Sequence, residues 1–205
     1  MRNRLLVAMA CLVGLLVAGA PITLADTTDS TVYGSGNYGD CDYGSCTITL
    51  SSGGTTTLNV APTPAGKCTV QSDTASVLTD STAGYSLTMT TSTTNNAMTS
   101  ASGSISAASG TAASPAILSM NTWGYRVDSL AGFGTGPTSA QNNGSIPSVS
   151  FAGVPPSNLA ATQVASSGGP ANPAATTTVW YGLCADSSVP AGNYSVTVTY
   201  TAVTN

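Results

Sequence analysis

The run Tyr194-Ser-Val-Thr-Val-Thr-Tyr-Thr-Ala202 constrains the fold more than any other part of this chain. Tyr194, Val196, Val198, Tyr200 and Ala202 fall on one side of an extended backbone, and Ser195, Thr197, Thr199 and Thr201 on the other. That period of two belongs to a strand with one face in a core and one in water. The preceding Val189-Pro-Ala-Gly-Asn193 is turn chemistry, because proline presets φ and glycine permits positive φ. With Thr176-Thr-Thr-Val-Trp-Tyr-Gly-Leu-Cys184 upstream, the chain is expected to close on a β-hairpin.

The same period recurs along the chain. Residues 47–50 alternate, 51–54 turn and 55–60 alternate again, which predicts a first hairpin. Residues 68–78 resume the pattern; 84–90 place Tyr85, Leu87 and Met89 on one face, and 122–127 do the same for Trp123, Tyr125 and Val127. From 128 to 175 the chain is mostly Gly, Pro, Ser, Ala and Asn, with one short strand candidate at 148–151. That stretch reads as a loop-rich insert over one sheet edge. The expected fold is all-β: an antiparallel immunoglobulin-like β-sandwich across 45–205, stabilised by disulfides, with a β-barrel as the alternative. Trp123 and Trp180 are expected on the core or its margin.

The first residues carry an address. Arg2 and Arg4 precede an apolar stretch over 5–20, too short and too rich in small residues for a membrane span. Thr23-Leu-Ala25 then offers a cleavage site, so residues 1–25 read as a signal peptide and Asp26 as the mature start. An uncleaved N-terminal anchor is the alternative. Cys11 reads as an ordinary leader residue, since Met9 fits a lipobox poorly. The expected location is secreted or at the cell surface, with no integral membrane segment after processing.

Four cysteines remain past the cleavage site: Cys41, Cys46, Cys68 and Cys184. An even number in an exported chain reads as two disulfides, with three connectivities open. Cys41 and Cys46 lie in one glycine-containing loop, where a small ring is feasible, and Cys68 and Cys184 sit at the ends of strand candidates. We therefore pair Cys41 with Cys46 and Cys68 with Cys184. Zinc is disfavoured by the spacing and by the lack of histidine.

Charge excludes several functions. After the cleavage site Lys67 and Arg126 are the only basic residues, set against eight aspartates. Two cations cannot build a phosphate-binding surface, so no nucleic-acid partner is expected. With no histidine the usual general base is missing, and serine without a base is not activated. A Ser–Lys pair would have to recruit Lys67, and the aspartates show no paired motif, so the chain reads as a non-enzyme without cofactor. Asp40-Cys-Asp42 offers two carboxylates to calcium but no complete loop motif follows, and no metal site is assigned.

Residues 26–44 form a polar, glycine-rich arm in which Tyr33, Tyr38 and Tyr43 recur every five residues. The bland reading is an irregular arm pinned by its disulfide. The sharper one is an aromatic patch that stacks on sugar rings or on a partner chain.

Asn121-Thr-Trp-Gly-Tyr-Arg126, Thr178-Val-Trp-Tyr-Gly-Leu183 and the run from Pro190 to Thr201 resemble a set of motifs in uncharacterised bacterial cell-surface proteins. Those proteins also carry an export signal and a cysteine-containing Tyr-Gly segment near the mature N-terminus, similar to residues 38–46. A looser likeness is to pilin-type and spore-coat-type β-sandwich domains, whose last strand follows a Pro-Ala-Gly-x-Tyr turn. The Trp-x-x motifs are also similar to those of the cell-wall-binding WxL domain, although Tyr125 and Gly182 stand here in place of leucine. The resemblance implies a place at the cell surface and carries over no functional residues.

Two functions follow from different classes. One is a structural surface component that coats the cell or self-associates in a pilus-like assembly, its arm adding a strand to a neighbour's open edge. The other is an adhesin or carbohydrate- or protein-binding module, using Tyr33, Tyr38, Tyr43 and Trp180 against a glycan, a cell-envelope partner or a host surface.

Overall fold

The structure, a computed structural model, describes residues 46–205 and the backbone of residues 5–14. Among them are β1 (Leu5–Gly14), β2 (Ile48–Ser52), β3 (Lys67–Thr79), β4 (Tyr85–Thr91), β5 (Met98–Ser100), β6 (Gly103–Ala107), β7 (Thr122–Arg126), β8 (Gln141–Gly144), β9 (Thr162–Ser167), β10 (Ala171–Ala185) and β11 (Asn193–Thr204). They form one open sheet in the order β2-β3-β10-β7-β6-β5-β11-β4-β9, with β1 added on β11 and β8 on β3. The chain is all-β, as the alternation predicts.

The sheet is mixed rather than antiparallel throughout. β6 pairs antiparallel with β5 but parallel with β7, Ser106 opposite Thr122 and Ala107 opposite Trp123. A parallel pair needs a long crossover, and residues 108–121 provide it. β6 thereby joins two halves of the sheet, which then fold over one another. Tyr181 on β10 and Tyr200 on β11 lie well apart in the strand order, yet their hydroxyls meet at 2.8 Å. Tyr125 on β7 likewise reaches Thr162 on β9 at 3.1 Å. Leu50, Val77, Leu87, Met89, Trp123, Tyr125, Val179, Leu183 and Val198 fill the space between.

This folding-over corrects the expected C-terminal hairpin. β10 pairs with β3 and β7, and β11 pairs with β1, β4 and β5; the two are not neighbours. Each strand has one continuous apolar face: Val179, Tyr181, Leu183 and Ala185 on β10, and Tyr194 to Ala202 in steps of two on β11. A hairpin would set those faces side by side. The turn at 186–192 instead carries the chain across the core, so that they meet face to face and both leave water.

The expected first hairpin is also absent. β2 pairs with β3, Ile48 opposite Thr79, and residues 55–60 run extended outside any ladder. Their alternation is still used, since Thr56, Leu58 and Val60 are buried. The segment is fixed by single hydrogen bonds, such as Thr69 Oγ1 donating to the Asn59 carbonyl at 2.5 Å. Period two reports which face is covered, not whether a neighbouring strand exists.

The stretch 128–175 is more ordered than a surface insert. It holds β8, β9 and the start of β10, and it buries Phe133, Thr138, Phe151, Ala152, Val154 and Val164. The candidate at 148–151 contributes a single bridge, Phe151 to Ala116, and the next residue, Ala152, adds one to Tyr125.

Candidate functional site

β3 and β10 run antiparallel with Cys68 opposite Cys184, which brings their Cα atoms to 4.1 Å and joins them in a disulfide. This is the pairing read from the sequence. Cys46 is disulfide-bonded as well, while its expected partner Cys41 lies outside the described residues. On β10 the even positions face away from the main core. Cys184 and Trp180 there join Cys68, Val70, Leu118 and Phe151 in a second, smaller apolar cluster, with Met120 and Val149 packed against it. A Cβ at Gly182 would stand 2.8 Å from both Leu118 Cδ1 and the Phe151 ring. Glycine at this position lets the crossover segment and residue 151 close over the disulfide.

Of the four aromatic residues expected to form a binding platform, only Trp180 lies among the described residues. Trp180 is half-buried and packed on the second cluster. Tyr33, Tyr38 and Tyr43 lie outside the described residues. Tyr85, Trp123, Tyr125, Phe133, Phe151, Tyr181, Tyr194 and Tyr200 are all buried. Trp123 is anchored at its polar end, with Nε1 donating to the Asn96 carbonyl at 2.9 Å.

Arg126, Asp80, Asp128 and Asp186 are occupied in holding loops. Arg126 on β7 is only 2% exposed. Its Nε donates to Asp128 Oδ1 and Thr138 Oγ1, both at 2.7 Å, and its Nη1 donates to the Phe133 carbonyl at 2.6 Å. Burial acts to raise the Asp128 carboxyl, but hydrogen bonds from the Thr138 hydroxyl and amide and from Arg126 outweigh it. Asp128 is therefore held below the ordinary carboxylate range. Asp186 accepts from the Ser188 hydroxyl and amide, and these bonds lower it too. Asp80 accepts from the Thr47 amide at 2.7 Å. Lys67 opens β3 opposite Ala185. Among the described residues no three His, Cys, Asp or Glu side chains cluster as metal ligands would.

Asp73 differs from the others. It occupies the core phase of β3 with Ala75, Val77 and Thr79 and is 7% exposed. Burial raises its carboxyl to about 6, against smaller lowering effects from the Thr74 and Gly53 amides, and its Oδ2 has no hydrogen-bond partner. No motif marks Asp73 in the sequence; the signal that finds it is an aspartate in phase with Ala75, Val77 and Thr79.

The remaining feature is the long edge of β11. Val198 faces Thr91 of β4 on one side and Met9 of β1 on the other. The β1 pairing runs antiparallel from Leu5 opposite Ala202 to Gly14 opposite Asn193. The apolar stretch read as an export leader thus contributes a strand to the sheet. The alternation of Tyr194–Ala202 announced this strand but could not show which of its two edges depends on residues at the far end of the chain. No helix among the described residues is long and apolar enough to cross a membrane.

No protein-family model, curated protein or solved structure matches this chain.

Proposed function

We propose that this chain is an exported, non-catalytic structural protein of the cell surface, its folded-over sheet serving as an immunoglobulin-like β-sandwich that associates with further copies. The observation that carries this reading is the division of its surfaces. The described aromatic side chains other than Trp180 are buried, and most water-facing positions of β3, β10 and β11 are short neutral hydroxyls, with Leu78 of β3 an exposed apolar exception. Ser72, Thr74 and Ser76 on β3 with Thr176 and Thr178 on β10 line one outer face, and Ser195, Thr197 and Thr201 on β11 line the opposite one. These hydroxyl-lined faces present no charged cluster and no stacking platform, and they suit a wall element that meets solvent and neighbouring copies.

The disulfide between β3 and β10 is compatible with an oxidising compartment outside the cytosol. A tagged full chain expressed in an exporting bacterial host tests the reading by cell fractionation, surface proteolysis and mass measurement. The expected product is accessible from outside, oxidised and lacking residues 1–25. A product retained in the cytosol with residues 1–25 attached would sink it. Glycan binding lost on replacing Tyr33, Tyr38 and Tyr43 by alanine would shift the assignment to an adhesin.

A further inference from the structure

We infer that the β11 edge is a strand-acceptor site, filled in the precursor by β1 and, after processing, by residues 30–39 of a second copy of this chain. The inference rests on the proposed export reading, because β1 lies within the residues that cleavage after Ala25 would remove.

The acceptor is defined by the backbone. The Thr197 carbonyl accepts from the Ser92 amide on the β4 side. Peptide groups alternate in direction along a strand, so Tyr194, Val196, Val198, Tyr200 and Ala202 present theirs to the β1 side. The side chains of these same five residues are buried in the core. The edge therefore cannot swing away without opening the core, and once β1 departs it is a row of unpaired donors and acceptors. Such a row is a template for another strand.

The chemistry of the occupant follows from β1, which supplies ten residues without a charge. In the mature arm, residues 30–39 form an uncharged run of the same length, bounded by Asp29 and Asp40.

Geometry then selects a second copy over the chain's own arm. β1 ends at Asn193, which follows the turn after Ala185 and so lies at the Lys67 end of β3. Residue 47 lies at the other end of β3, where its amide meets Asp80 and Ile48 pairs with Thr79. The 13 residues of β3 separate these ends, a span of about 43 Å at roughly 3.3 Å per residue. An own-chain strand over 30–39 in this direction leaves residues 40–46 to make the return, which reach about 29 Å when fully extended. Moving the strand back to 26–35 lengthens the return but brings Asp26 and Asp29 into a site where β1 places no charge. A strand from another copy needs no return. The donor's domain then begins just past the acceptor's Asn193 end, a head-to-tail contact that does not close on itself.

The test is native mass spectrometry of the chain recovered after export, alongside a chain carrying Thr31→Pro with Val32→Pro. Adjacent amides alternate between the two edges of a strand, so one of these prolines removes a required donor. The expected result is a ladder of multiples of the processed mass for the unsubstituted chain, reduced to monomer in the double variant. An excess of synthetic peptide 30–39, added during refolding of the unsubstituted chain, should shorten the ladder. A ladder that survives both treatments overturns the inference. A monomer of processed mass overturns it while leaving the export reading intact, and a monomer that keeps residues 1–25 overturns both.

Discussion

The hydroxyls of Tyr181 and Tyr200 meet at 2.8 Å between the two halves of the sheet, and Tyr181 also points at Met89 Sδ, 3.6 Å away. Both residues are fully buried, so this contact joins β10 to β11 where no backbone pairing does. Tyr181→Phe and Tyr200→Phe should each lower stability by about 1–2 kcal/mol, because each removes a buried hydrogen bond from the other hydroxyl. The double variant should lose less than the sum, with a coupling of about 1 kcal/mol. Urea unfolding of the four chains measures this, and strict additivity would mean that the hydroxyls contribute independently.

Asp73 should make the fold more stable in mild acid than in base. Its folded value of about 6 lies above the ordinary 3.8, so protonation favours the folded state. The contribution is fully present below about pH 3.8 and is lost as pH rises through 6. Asp73→Asn keeps an acceptor for the Gly53 and Thr74 amides and removes the charge. It should raise stability by about 1–3 kcal/mol at pH 8 and change little at pH 4. Thermal unfolding of both chains from pH 4 to 8 decides this; a constant difference across that range would argue against titration of Asp73.

The Cys68–Cys184 bridge spans a sequence separation of 116. Closing so long a loop restricts the unfolded chain by an amount on the order of 3–5 kcal/mol. Replacing both cysteines by alanine should lower the unfolding midpoint strongly while leaving the far-ultraviolet spectrum that of a β-protein. The β3–β10 ladder runs unbroken from Ala175 to Ala185 and does not depend on the bond. Loss of the β-spectrum in the double-alanine chain would show that the bridge is needed to form the sheet.

The strands with a one-sided burden were legible in the sequence. Tyr85, Leu87 and Met89, then Trp123, Tyr125 and Val127, then Tyr194 through Ala202 are buried as their spacing predicts. Pairing was not legible, because alternation tells a strand which face to bury and nothing about its neighbour. Hence 55–60 reads as a ladder strand and is not one, and β10 and β11 read as a hairpin and instead oppose each other. The stretch 128–175 hid for another reason. Between 128 and 150 much of its order comes from Arg126, which lies outside it, and from backbone carbonyls, which no side-chain pattern records.

That dependence on one guanidinium leads to the last prediction. Arg126 holds Asp128, Thr138 and the carbonyls of residues 133, 134 and 150 around a single planar group, with Phe133 lying 6.0 Å from its Cζ. A lysine brings a charge but not the fork that serves several acceptors in one plane. Arg126→Lys should therefore destabilise nearly as much as removal of the charge. Arg126→Met should cost about 1–3 kcal/mol, since it leaves the partly exposed Asp128 without its cation and the carbonyls of residues 133, 134 and 150 without their donor. Because Arg126 ends β7 and its side-chain partners all lie between 128 and 150, the damage should be local at first. Limited proteolysis should cut both variants between 128 and 150 at temperatures where the sheet is still folded. Unchanged resistance there in Arg126→Lys would show that charge alone organises the segment.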